Sequence, residues 1–168
     1  MGLKIFQYGI LNLIYKFTRA EAVSRFKSIK TICANNNIFC KTVTNINDEV
    51  LVEEMSYLEP DIIVSFSAPT VFKKDILSTP KLGCVNLHCS KLPDYSGVMP
   101  SFWVLLNDEK ETGCSVHMMD DYIDNGELLA QVAVPITGDE TMYSLIKKTK
   151  DKGGDLMLSV LKRIYLEG

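Results

Sequence analysis

Three polar side chains in the middle of the chain, an amide, an imidazole and a carboxylate, have the types and the spacing for chemistry. Asn86-Leu87-His88 closes an apolar run and leads into Ser90-Lys91-Leu92-Pro93-Asp94-Tyr95-Ser96-Gly97; His117 follows, and then Asp124-Asn125-Gly126. Residues two apart on an extended strand point to one face, so Asn86 and His88 share a face. An amide and an imidazole donate hydrogen bonds, and an imidazole and a carboxylate can hold or move a proton. Each piece alone has a plainer explanation. N-x-H recurs by chance, D-N-G is a common hairpin turn, a lone histidine such as His117 on a strand is ordinarily a satisfied core residue, and a Pro-x-Tyr-x-Gly stretch is ordinarily only a loop.

The flanking pattern predicts the elements that must position these groups. Residues 3–34 read as one or two helices. Ile10, Leu13, Ile14 and Phe17 recur at helical spacing, and Thr18 with Glu21 has the form of a capping box. Asn35-Asn36-Asn37 stops this run, and nothing before Ile38 reads as a strand. Residues 38–43 read as a short strand. Asn47 then caps a helix through Leu58 that Pro60 prevents from extending. Residues 61–66 are β-branched and apolar on both faces, as expected of a buried parallel strand.

A short helix over 71–77 precedes a second buried strand over 83–88, with Asn86 and His88 at its carboxyl end. Residues 100–106 read as a helix, 112–119 and 127–136 as strands joined by a turn at Asp124-Asn125-Gly126, and 142–166 as a long amphipathic helix. The alternation predicts an α/β fold, a Rossmann-like and mostly parallel sheet with flanking helices. Ligands in such sheets bind outside the carboxyl ends of the strands. One domain is expected over 1–168, with a helical segment over 1–36 and a core over 37–168.

Composition bounds the function. The chain has 168 residues, 46% hydrophobic and 23% charged, with a net charge of -3 and no basic stripe. It is too apolar for disorder, and its charge argues against a nucleic-acid footprint on this domain without a further one. Five cysteines, an odd number with no C-x-x-C pair, read as reduced thiols in the cytoplasm. With only His88 and His117 as histidines, no metal site is expected. The absence of G-x-G-x-x-G gives no support for NAD. Residues 3–17 are too short and too polar to span a bilayer. Cys89 adjoins His88, but neighbours on a strand face opposite ways, so a Cys–His dyad is not expected; Cys84 and Cys114 read as small core residues.

Taken in order, the pieces resemble the catalytic domain of the formyltransferases that use 10-formyltetrahydrofolate. The resemblance rests on Asn86 and His88, on Leu92 to Gly97, on His117, and on Asp124 with Gly126. Phe102-Trp103, Leu106-Asn107, Glu111-Thr112-Gly113 and Leu128-Leu129 add to it, so that it covers about residues 38–161. It implies catalytic roles for Asn86, His88 and Asp124. The carboxamide and the imidazolium donate to the tetrahedral oxyanion formed when an amine attacks the formyl carbon, and Asp124 keeps His88 charged and assists proton transfer. It also implies a pocket for the folate co-substrate between Pro69-Thr70-Val71-Phe72 and Asp121-Tyr122-Ile123. The implied partner is a small-molecule amine, and the wording around Trp103 to Leu106 is similar to that of sugar N-formyltransferases.

Against the resemblance, the chain reads as lacking the family's first strand-turn-helix unit. It would then be a fragment, a small enzyme completed by a partner chain, or a remnant that binds folate or a partner without catalysis. Hydrolysis of formyltetrahydrofolate, with water as the acceptor, is the alternative reaction. N-terminal helices with no strand to pack on would leave an apolar face that a homodimer would cover.

Overall fold

The computed structural model describes residues 4–8 and 28–167. In chain order the elements are β1 (Lys4–Tyr8), α1 (Ile29–Asn35), β2 (Phe39–Val43), α2 (Glu49–Tyr57), β3 (Ile63–Phe66), α3 (Lys74–Leu77), β4 (Cys84–His88), α4 (Pro100–Leu106), β5 (Glu111–Met118), β6 (Leu128–Pro135) and α5 (Met142–Glu167). β1 and β2 pair in parallel, and β3-β4-β5-β6 form a four-stranded sheet in that order. β3 and β4 are parallel, whereas β5 and β6 each run antiparallel to the preceding strand. The α/β class is as expected. The sheet is mixed, because β4 and β5 are joined through α4 in a way that reverses the strand, rather than mostly parallel.

The local physics of each element is legible in its ends. Ser28 caps α1 and Asp48 caps α2, each side chain accepting from the amide three residues on, Thr31 and Leu51. Pro100 opens α4, where its missing N–H is not needed. α5 buries Leu145, Thr149, Met157 and Val160, spaced to fall on one stripe of the helix. That stripe lies on β5, β6 and β4. Beneath it, Val85 and Leu87 of β4, Cys114 and Val116 of β5, and Met157 and Val160 of α5 form one core cluster. A second cluster joins Ile46, Leu51, Met55, Phe72 and Ile76.

Several expectations are corrected. Residues 4–8 form a strand, not helix: the backbone of Lys4 to Tyr8 pairs in register with Phe39 to Val43. A strand before Ile38 is therefore present, and the expectation of a missing first strand does not hold. The proposed capping box and the apolar helix spacing of residues 10–17 lie outside the described residues, as does the apolar face behind the homodimer expectation. Asn47 does not cap α2, since Asp48 does; its amide instead bridges to residues ahead of α3, donating to the Val71 carbonyl at 2.9 Å and accepting from the Lys73 amide at 2.8 Å. β3 is not buried on both faces. Only Ser65 is buried in it, because β3 ends the four-stranded sheet.

The turn between β6 and α5 is held by Glu140, whose carboxylate accepts from the Thr137 and Gly138 amides, the Thr137 hydroxyl and Lys148 Nζ. The Lys148 hydrogen bond, ahead of the opposing effect of burial, brings the Glu140 carboxyl from 4.5 to about 2. A depressed carboxyl pKa stabilises the fold above its unfolded value and loses that contribution as pH falls through the folded one. Glu140→Gln is therefore expected to lower the midpoint of urea unfolding at pH 7 and to flatten the stability profile between pH 4.5 and 2. An unchanged acid profile would show that the turn does not depend on this charge.

Candidate active site

β4 delivers Asn86 and His88 to the same face at its carboxyl end, with Asn86 opposite His117 and His88 opposite Ser115 on β5. His117 thus enters the site from the neighbouring strand. Asp124 arrives from the turn between β5 and β6, in the left-handed region at φ 50°. Gly126 makes that turn possible. A Cβ on it would stand 1.9 Å from the Met118 carbonyl oxygen, so only glycine lets the turn lie this close to β5. Gly97, at φ 85°, ends the loop after β4 in a conformation that favours glycine, and its amide donates to Asp124 Oδ2 at 2.7 Å.

The four side chains meet around the carboxylate. His88 Nδ1 lies 3.2 Å from Asp124 Oδ2, His117 Nε2 lies 3.5 Å from Oδ1, and Asn86 Nδ2 donates to Oδ1 at 3.4 Å. His88 Nε2 is 2.8 Å from the Tyr95 carbonyl oxygen, and since a carbonyl only accepts, that nitrogen carries a hydrogen. The same logic gives His117 Nδ1 a hydrogen donated to the Met118 carbonyl at 2.7 Å. His117 Nε2 also lies 3.2 Å from Asn86 Nδ2. When His117 is neutral, Nε2 accepts there; when it is charged, Nε2 turns donor and faces Asp124.

Burial pushes the Asp124 carboxyl up, but hydrogen bonds from His117 and the Gly97 amide, with the charge of His88, outweigh it and leave the group below its usual 3.8. Burial pushes His117 down, yet Asp124 and the Met118 carbonyl raise it above 6.5. Asp124 stays ionised and His117 is held toward its charged form by the same contact.

The loop that carries Tyr95 and Gly97 is pinned from below. Ser115 Oγ accepts from the Leu92 amide at 3.0 Å and donates to the Ser90 carbonyl at 2.7 Å, while Gln131 Nε2 reaches both Ser115 Oγ and the Leu92 carbonyl. Ser90 Oγ donates to the Asp94 carbonyl, and Tyr95 Oη to Glu109 at 2.6 Å. Ser90 and Ser115 are fully buried.

Beside Asp124 a cleft of about 690 Å³ is lined by Val71, Asp121, Tyr122, Ile123 and Asn125. Of the residues the sequence assigns to a folate pocket, Val71, Asp121, Tyr122 and Ile123 line it. Pro69 and Thr70 lie just ahead of Val71, half-buried, and are not among the lining residues. The Phe72 side chain does not line the cleft: it is buried against Ile46, Leu51, Met55 and Ile76 and faces the core. The sequence counts His117 in the family pattern but gives it no catalytic role, since a lone histidine on a strand is ordinarily a core residue. It is buried, but its ring faces the carboxylate; its place opposite Asn86 in the register was the signal that could have found it.

A mixed α/β sheet with an amide, two imidazoles and a carboxylate gathered at the end of its central strands defines a Rossmann-like enzyme fold with a buried polar site. The chain belongs to the formyl transferase family, whose pattern its residues 16–161 match. It is 42% identical over 123 residues to the bifunctional polymyxin resistance protein ArnA of Wigglesworthia glossinidia brevipalpis, covering 73% of this chain and 19% of that one. It is 38% identical over 113 residues to the methionyl-tRNA formyltransferase of Citrifermentans bemidjiense, covering 67% of this chain and 36% of that one. The chain thus spans about a fifth and about a third of these relatives. Its fold is similar to that of the formyltransferase PseJ from Anoxybacillus kamchatkensis, solved with UDP-4,6-dideoxy-4-formamido-L-AltNAc and tetrahydrofolate: TM-score 0.67, 20% identity, covering 97% of this chain and 77% of that one. Among the described residues no helix is long and apolar enough to cross a membrane.

Two outcomes follow from the geometry. Asp124→Asn removes the largest contact that raises His117 and leaves only the Met118 carbonyl and the Asp120 charge against burial, so the His117 pKa is expected to fall relative to the unaltered chain in an NMR pH series. A raised histidine pKa stabilises the fold below the unfolded value and loses that contribution as pH rises through the folded one; the variant should lose stability at pH 6 more than at pH 9. Gly126→Ala must displace backbone, and is expected to cost roughly 1–3 kcal/mol in denaturant unfolding.

Proposed function

We propose that this chain transfers a formyl group from 10-formyltetrahydrofolate to a primary amine, with Asn86, His88 and Asp124 as its catalytic residues. The observation that carries the reading is the meeting of those three side chains at the carboxyl end of β4, beside a cleft of about 690 Å³. Family membership and a tetrahydrofolate bound to a protein of similar fold support the co-substrate.

Val71 and Tyr122-Ile123 offer apolar walls for the pterin, with Asp121 and Asn125 to bond its edges. Attack of the amine on the formyl carbon breaks the carbonyl π bond and puts charge on its oxygen. Asn86 Nδ2 and His88 are the donors for that charge. The His88 Nε2 hydrogen is held by the Tyr95 carbonyl, so turnover requires the ring or the Tyr95 loop to surrender it to the reacting oxygen. Asp124 stabilises the charged imidazole through Nδ1 and accepts the proton shed by the amine through a water; the proton then passes to N10 of the folate as the C–N10 bond breaks, the carbonyl re-forms and tetrahydrofolate departs. An amino-sugar nucleotide is the proposed acceptor, on the similarity of residues 103–106 to sugar N-formyltransferases and on the ligand of the similar structure. The site belongs to a cytoplasmic enzyme that needs no metal or NAD in this reading.

The test is a formyl-transfer assay with 10-formyltetrahydrofolate against a panel of amino-sugar nucleotides and methionyl-tRNA, with a no-acceptor arm that reads hydrolysis. His88→Ala is expected to lower kcat by roughly 10²–10³ with the fold intact, since it removes a donor aimed at transition-state charge. Asp124→Asn should act similarly, and Asn86→Ala more mildly. Retention of most of the rate by His88→Ala would remove His88 from the mechanism. Binding of the folate without turnover on any acceptor would favour a folate-binding module instead.

A further inference from the structure

The strand that presents His88 to the site carries a second arrangement of reactive groups on its other face. The Met119 amide donates to the Cys84 carbonyl, so Cys84 and Met119 form a hydrogen-bonded pair between β4 and β5. Pairs of that kind alternate with closely spaced ones. Counting along the register, Asn86–His117 and His88–Ser115 are hydrogen-bonded pairs. Cys89 is the next residue, just past β4; continued by that one step, the register would set it opposite Cys114 at a closely spaced position, for which Cα atoms ordinarily stand about 4.5 Å apart. That separation is within the range a disulfide spans, ~4.4–6.8 Å.

Both side chains turn away from the site. Val85, Leu87, Cys114 and Val116 point into the core under α5, and Cys89 is the next residue of that alternation just past the strand end. Cys114 is fully buried, its Sγ 2.9 Å from the Thr149 carbonyl of α5, whereas Cys89 is only half-buried. The two thiols interact: proximity to Cys114, against burial and with help from Thr149 and the Lys150 charge, lowers Cys89 to about 7, while Cys114, whose single hydrogen goes to the Thr149 carbonyl, is pushed up. Cys89, the half-buried sulfur, is the one a small oxidant reaches first, and the fully buried Cys114 is its reserve. The other thiols lack this combination. Cys84 is buried and held up at about 12 by burial, and burial together with Cys40 raises Cys33.

We propose that Cys89 is a peroxide-reactive modification site and that Cys114 resolves it, closing a cross-strand disulfide directly behind His88. The Cys89 thiolate attacks hydrogen peroxide; an S–O bond forms, the O–O bond breaks, and the departing hydroxide takes a proton to become water, leaving Cys89 as a sulfenic acid. The Cys114 sulfur then attacks the Cys89 sulfur. The S–S bond forms, the S–O bond breaks, and the Cys114 proton leaves with the hydroxide as a second water. Peroxide is reduced to two waters, and the two thiols lose their hydrogens. This chemistry stands apart from formyl transfer and is tested without it.

The experiment treats the reduced full chain with one equivalent of hydrogen peroxide at pH 7.5 and maps the cysteines by peptide mass spectrometry. The expected product links the Cys89 and Cys114 peptides and reverts with dithiothreitol. Cys89→Ser should abolish the link, and Cys114→Ser should stop at a sulfenic acid on Cys89 that dimedone captures. On the wild-type chain, which avoids any folding defect of the variants, iodoacetamide should alkylate Cys89 ahead of Cys84 and Cys114, with a pH inflection near 7. Oxidation of Cys33 and Cys40 in preference to this pair, or alkylation of Cys89 no faster than of Cys84, would overturn the proposal.

Discussion

The Asp124 carboxylate is the contact on which the site depends. It is taken largely out of water, and a carboxylate so placed is tolerated only where donors satisfy it. Here the Gly97 amide, both imidazoles and the Asn86 carboxamide converge on its two oxygens. Those donors come from three separate segments: β4, the loop after it, and β5. A single anion therefore ties together elements far apart in the chain. It also sets their charge states, because lowering the carboxyl pKa and raising that of His117 are two sides of one interaction.

Holding an anion at that point has a backbone cost, and the chain meets it with local conformation. Asp124, Tyr95 and Met99 adopt positive φ without being glycine, a strained choice for L residues. Strain of this kind persists only where the surroundings over-determine it. The Ser90–Ser115–Gln131 network supplies that support beneath the loop, and the contact of the Gly126 turn with Met118 supplies it beneath Asp124. The loop carbonyl that fixes His88 and the loop amide that fixes Asp124 are two residues apart, at Tyr95 and Gly97. Movement of that loop would change both groups together.

β4 works as a partition. One face presents Asn86 and His88; the other buries Val85 and Leu87 against α5. Adjacent residues thus have unrelated surroundings, a polar cluster on one side and a sulfur pair under a helix on the other.

The amino-acid sequence by itself determined the strand–helix alternation from Ile38 onward, the helices opening at Pro100 and Met142, and the grouping of Asn86, His88 and Asp124. The elements rest on short-range signals, side-chain period, capping residues and turn residues such as Gly126, whereas the grouping of the three polar residues rests on the resemblance of their order and spacing to a family pattern. Only the tertiary structure decided what depends on pairing between distant segments. Lys4 to Tyr8 sits next to residues with helical spacing, and it is a strand because its backbone meets that of Phe39 to Val43. Asp48 rather than Asn47 caps α2, a difference of one residue settled when Asn47 bridges to Val71 and Lys73 across 24 and 26 positions. Phe72 faces the core and Val71 the cleft, and His117 turns toward a carboxylate, for the same reason. A side chain's surroundings are set by whichever strand or helix packs beside it, and that information is not local in the chain.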